Sequence, residues 1–138
     1  MLIIKMCRFG LVLPLALMSA CGGAVITGPS AVTGGIWKAQ SLETSAGLVA
    51  LARPENYTVE FREAGQLFVK ADCNLCSGPY TLSGDSLQIG ALACTRAFCG
   101  AASSDTAFLD ILTNARTHAV RGIELSIDSP KGVARFLR

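Results

Sequence analysis

The 138-residue chain has one histidine, one tryptophan and two tyrosines, and only 16% of its residues are charged. Each scarcity excludes something. It contains no His-Glu-x-x-His helix, no Gly-x-Ser-x-Gly elbow and no phosphate-cradling glycine loop, which are motifs that carry hydrolytic or nucleotide chemistry. The lone His118 reads as a surface or half-buried residue of an edge strand over 117–120. No cluster of Lys and Arg occurs, which argues against a nucleic-acid binder, whose surface carries a basic excess. The first apolar run is shorter than the roughly 20 residues of a transmembrane helix, and the length allows one domain of about 100 to 150 residues.

What is present begins with an export signal. Lys5 and Arg8 precede an apolar stretch over 9–18 that ends in small residues, the layout of a secretory signal. Met18-Ser19-Ala20-Cys21 resembles the bacterial lipobox, in which the chain is cut before a cysteine that already carries diacylglycerol. Residues 1–20 are therefore expected to form a lipoprotein signal peptide, with Cys21 the lipidation site and the membrane the first partner. Each buried acyl carbon adds about 0.8 kcal/mol, so several chains anchor stably where one is marginal. The uncharged, small-residue segment 21–34 reads as a flexible tether, and 35–138 as the domain. Gly22 follows the anchor cysteine where Asp commonly signals inner-membrane retention, so the expected place is the outer membrane, facing the periplasm. Losing Lys5 and Arg8 leaves ten basic and ten acidic side chains.

From residue 36 the pattern is mostly period two. Tyr57, Val59 and Phe61 alternate with polar residues, Glu63-Ala64-Gly65 supplies a turn, and Leu67, Val69 and Ala71 resume the alternation, which predicts a hairpin. A second hairpin sets Tyr80-Thr81-Leu82 against Leu87-Gln88-Ile89 around a Ser-Gly-Asp-Ser turn. Ile123, Leu125 and Ile127 predict another strand with one buried face, ended by Ser129-Pro130-Lys131-Gly132, and 132–137 is expected to close the sheet. Shorter strand patterns occur at 37–40 and 48–51. One stretch has helical spacing instead: Ala107, Phe108, Ile111, Leu112 and Ala115 share a face behind the capping residues Ser103, Ser104 and Asp105. It predicts a helix of about ten to twelve residues whose apolar face plugs the sheet. The fold class is α+β, a mostly antiparallel curved sheet, partly open and barrel-like, packed around a single helix.

Four cysteines, Cys73, Cys76, Cys94 and Cys99, flank the second hairpin. Four cysteines allow three connectivities. If Leu82 faces Leu87, extending the ladder favours Cys73 with Cys99 and Cys76 with Cys94. Two other readings compete. Cys-x-x-Cys followed by Cys-x-x-x-x-Cys is near zinc-ribbon spacing, against which export to an oxidising compartment weighs. Cys73-Asn-Leu-Cys76 also has thioredoxin-like spacing, although it follows a strand and leads into Gly-Pro-Tyr rather than opening a helix. The carboxylates Glu60, Glu63, Asp105 and Asp110 show no arrangement as an acid–base pair, so no catalytic residue, metal or cofactor is expected.

Trp37, Phe61 with the Gly65 hairpin, Asp72-Cys73-Asn74, Gly78 with Tyr80, Leu87, Gly90, the run from Thr95 to Cys99, the helix ending near Leu112, Leu125 and Phe136 together resemble the META domain, the family of the heat-shock lipoprotein HslJ. The resemblance spans 34–138. Arg96-Ala97-Phe98 departs from it, standing where a Met-Ala pair often precedes the cysteine, and Cys76 with Cys94 resembles an additional pair found in a subset. The resemblance implies a small antiparallel domain on an envelope or exported protein, linked in some cases to stress tolerance or secretion. Similarity of the family to lipid-binding pilot lipoproteins implies an apolar site within the curved sheet. The expected function is thus a non-enzymatic envelope lipoprotein serving as a binding, assembly or stress-protection module, its ligand undefined and its expected partner an envelope protein or apolar ligand. The alternatives are an inhibitor of an exported lysozyme or protease, for which Ser77-Gly78-Pro79-Tyr80 is the nearest motif, and a cysteine-based redox or zinc protein.

Overall fold

A computed structural model describes residues 29–138. The expected signal peptide, the expected lipidation site Cys21 and the first part of the expected tether lie outside the described residues. Ten strands form one sheet: β1 (Ile36–Thr44), β2 (Gly47–Val49), β3 (Tyr57–Arg62), β4 (Gln66–Ala71), β5 (Asn74–Ser83), β6 (Ser86–Ile89), β7 (Ala93–Cys94), β8 (Thr117–Arg121), β9 (Glu124–Ser129) and β10 (Gly132–Leu137). The helix α1 (Pro29–Val32) precedes them and α2 (Asp105–Thr113) lies between β7 and β8.

The expected partly open sheet is closed. Every pair of named strands is antiparallel, and the ring runs β1, β3, β4, β5, β6, β8, β9, β10 and back to β1. β2 and β7 lie outside the ring, on β1 and β5. Closure stops short strands from exposing unpaired edges. β8 is accordingly not an edge: it joins β9 along its length and β6 through Ser86 and Thr117. That seam is the narrowest in the barrel. Leu87 N donates to Arg116 O and His118 N to Asp85 O.

His118 sits on this seam and is buried, at 2% exposure, where its sequence setting suggested a surface or half-buried residue. Its Nδ1 lies 3.1 Å from the Asp85 carbonyl, while Nε2 is buried without a partner. Burial holds the imidazole below its ordinary range, outweighing the upward pull of the Asp85 carbonyl and carboxylate. The unfolded chain therefore takes up the proton first. Stability is full above about pH 6.5 and falls as pH drops through that value toward the lower folded one. Thermal melts from about pH 8 to about pH 5 are expected to show this loss, and His118→Gln to flatten it; a wild-type melt flat across that window would remove the seam from the account.

The interior is filled from both ends. At the upper end α2 inserts Phe108, Ile111 and Leu112, all fully buried; Phe108 meets Tyr57 edge-on at 5.4 Å and Phe136 at 6.1 Å. At the lower end α1 buries Ala31 and Val32, and Val32 O accepts Trp37 Nε1 at 2.7 Å. The folded unit thus begins before residue 35. α2 has nine residues, a little shorter than the ten to twelve its pattern suggested, because Asn114 leaves helical geometry, although Ala115 is still buried. β1 stays inward-facing through a register shift between Ala39 and Ser41, which turns Trp37, Ala39 and Leu42 to the same side. Ile123, expected inside, instead occupies the β8–β9 turn and is 60% exposed.

Candidate functional site

Asp72 and Cys73 form the two-residue turn between β4 and β5, with Asp72 at φ 56°, a left-handed conformation that Asp tolerates better than most residues. Asp72 is buried, and Arg53 Nη2 lies 2.9 Å from its carboxylate, with Asn56 Nδ2 at 3.4 Å. Burial pushes this carboxyl up, but a bond from Ser103, the Arg53 charge and hydrogen bond, and Asn56 together hold it below the usual range. Arg53 also donates to Cys99 O at 3.3 Å. One side chain therefore ties the turn to the far end of the cysteine run.

The structure joins Cys73 to Cys99 and Cys76 to Cys94. Cys76 and Cys94 are cross-strand neighbours on β5 and β7. Between Cys94 and Cys99 the chain is held by Asn74, whose Oδ1 accepts from Ala97 N at 2.8 Å and Thr95 Oγ1 at 3.0 Å. Its Nδ2 donates to Ala97 O at 3.0 Å and to Asp105 Oδ2 at 3.3 Å, the second bond reaching helix α2. Leu75 N donates to Thr95 Oγ1 and Thr95 N to Leu75 O, both at 3.0 Å. Close approach of the preceding segment requires Gly78, where a Cβ would stand 2.5 Å from Ala91 O.

Ala97 thus has both main-chain groups bonded to one buried amide, and its neighbours are turned outward. Arg96 is exposed, and Phe98 at 88% exposure is the most exposed large apolar residue described. Between this loop and α2 lies a cleft of about 520 Å³, lined by Asn74, Leu92, Thr95, Phe98, Asp105 and Leu109 among others. A rigid loop that presents an aromatic and an arginine beside a cleft has the composition of a protein-binding hot spot, and its rigidity reduces the ordering cost of association. A second depression of about 500 Å³ lies on the outer wall of β8, β9, β10 and β1, around Ala119, Ser126, Arg121, Arg135 and Asp128.

The cysteines frame this site but supply no reactive sulfur in it. With Cys73 bonded to Cys99 and Cys76 to Cys94, Cys73 and Cys76 do not form the redox pair with each other. Among the described residues no group of three His, Cys, Asp or Glu side chains is placed to hold a metal. Ser77-Gly78-Pro79-Tyr80 is part of β5, with Tyr80 buried and its hydroxyl donating to Arg62 O at 2.8 Å; the inhibitor reading loses that loop. Glu60 is paired with Arg62 at 2.9 Å, and Asp105, the first residue of α2, accepts Thr106 N at 2.8 Å. Sequence reasoning missed Arg53, Asn74, Arg96 and Phe98 as members of one site. The available signal was Phe98, an aromatic outside any period-two or helical pattern, set between two cysteines.

Fold and site define a closed antiparallel β-barrel, plugged by one principal helix and carrying a disulfide-framed loop at its upper end. The chain belongs to the META domain family, whose profile matches residues 30–138. Among solved structures it is similar to an NMR structure of a protein from Burkholderia xenovorans, with a TM-score of 0.65 and 18% identity over 91% of this chain and 98% of that one. A crystal structure of a DUF4847 family protein from Bacteroides vulgatus gives a TM-score of 0.60 at 13% identity, over 78% of this chain and 94% of that one. No curated protein matches the chain in sequence.

Proposed function

We propose that the chain is a lipid-anchored, non-enzymatic module of the bacterial envelope, held at the outer membrane through Cys21, that binds an envelope protein through the Arg96–Phe98 loop. The observation that carries the reading is the fixation of Ala97 by Asn74, which leaves Arg96 and Phe98 rigid and exposed. The buried polar residues do different work: Asp72 and Asn74 are committed to holding the turn and the loop. An apolar guest inside the barrel is less well supported, since it would displace Trp37, Phe61, Phe108 and Phe136, which fill the interior. At this loop the apolar surface available for binding is Phe98.

Intact-mass spectrometry of the protein purified from bacterial membranes tests the anchoring half. Alkylation is performed with and without prior reduction. The expected result is an acylated Cys21 and alkylation of Cys73, Cys76, Cys94 and Cys99 only after reduction. An unlipidated chain whose cysteines react without reduction would contradict both the location and the framed loop.

A further inference from the structure

At the lower end of the barrel, Ile36 and Ile123 are 51% and 60% exposed, Ile36 beside Phe68 on the outer wall. Ile123 follows Gly122, at φ 60°, in the β8–β9 turn, a place usually filled by small polar residues. The two belong to one end. Ile123 O accepts Arg138 N at 3.1 Å, and the Arg138 guanidinium lies over the Trp37 ring at 4.5 Å and reaches Thr33 O at 3.3 Å. Ile36 is the residue before Trp37 and pairs with Glu60, which pairs in turn with the exposed Phe68. α1 seals this same end, so the chain leading back to Cys21 departs from it.

We infer that this end of the barrel rests on the bilayer surface, with Ile36 and Ile123 entering the interfacial region. The inference rests on the anchored reading of Cys21. Eight residue steps separate Cys21 from Pro29, so the connecting chain reaches at most about 28 Å. Turning the domain over would consume about 20 Å of that reach along a six-residue strand. The lower end, from which the chain departs, is thus the end that meets the membrane without using up this reach, and even a weak apolar contact there is made at high effective concentration. Charge adds little: Lys38, Arg62, Arg121 and Arg138 at this end stand against Glu60, Glu63 and Glu124, an excess of one positive charge. Binding is therefore expected to depend little on salt or on anionic lipid. The Arg96–Phe98 loop, at the other end, is turned away from the membrane.

The test uses residues 21–138 with the four framing cysteines bonded, coupled through the Cys21 thiol to a dialkyl maleimide lipid. It therefore does not depend on whether Cys21 is acylated in the cell, which the mass measurement decides separately. The protein is placed on phosphatidylcholine vesicles containing a nitroxide lipid, and amide broadening is read by NMR. Several-fold greater broadening at Ile36, Gly122, Ile123 and Glu124 than at Ala97, Phe98 and Ala101 is expected. The double variant Ile36→Ser and Ile123→Ser should lose this difference without a change in melting temperature. Equal broadening at both ends, or stronger broadening at Phe98, would overturn the inference. So would protection of the lower-end amides at high protein concentration without vesicles, which would make that end an interface between copies of this chain.

Discussion

Replacing Phe108 with alanine is expected to destabilise the protein by about 3 to 5 kcal/mol, the range for removing a fully buried aromatic. Phe108 is the central side chain of α2 inside the barrel and links Tyr57 on β3 to Phe136 on β10 through ring contacts. Its loss uncouples the two strands that flank β1 from the helix. The same residue positions the start of α2, where Ser104 N donates to the Tyr57 hydroxyl at 2.9 Å and Ser104 Oγ to Ala50 O at 2.9 Å. No side-chain cap of the usual form closes that helix, so its placement depends on packing and on these tertiary bonds. Chemical denaturation monitored through Trp37, which is buried at the lower end, measures the change. A loss below about 1 kcal/mol would mean that the helix is not the structural plug.

Removing the Cys73–Cys99 bond with paired serines is expected to cost about 3 kcal/mol on the chain-entropy account of a cross-link closing such a loop. The bonded cysteines are 26 residues apart, and those of the second pair, Cys76–Cys94, 18; the predicted global losses are therefore similar. The local effects differ. Cys99 is the far post of the Arg96–Phe98 loop, and without its disulfide the segment is held by Asn74, Thr95 and the Arg53 bond to the main-chain oxygen of residue 99. Amide exchange of Phe98 and Cys99 should accelerate well beyond the change caused by paired serines at Cys76 and Cys94. Equal acceleration in the two variants would show that the outer bond does not pin the loop. Losing both bonds removes about 6 kcal/mol from the 5 to 15 kcal/mol typical of a domain, so the doubly reduced chain is expected to be largely unfolded at raised temperature.

The parts legible in the sequence were those governed by a single local period. Tyr57, Val59, Phe61 and Leu67, Val69, Ala71 alternate, and each set is buried as one face. Phe108, Ile111 and Leu112 recur at helical spacing and fill the barrel. The length of β1 was hidden because the shift between Ala39 and Ser41 changes which residues face inward midway along the strand. Ile123 misled for a related reason: a two-residue turn interrupts the alternation just before Leu125, so an apolar residue in phase with the core lies outside it. The cysteine pairing was favoured by the ladder about Leu82 and Leu87, yet the ladder slips by one between Ile89 and Cys94. The candidate site depends on long-range contacts, Asn74 with Ala97 and Arg53 with Asp72, and no local pattern marks them.

The most direct measurement places a photo-crosslinking amino acid at position 98 of the full chain in intact bacteria, with the same group at Glu43, exposed on the barrel wall, as the control. The account predicts a discrete adduct with one envelope protein from position 98 alone, lost when Arg96 is replaced by alanine although the protein remains folded. Adducts of equal yield from both positions, or none from position 98, would contradict the claim that this disulfide-framed loop is the binding surface.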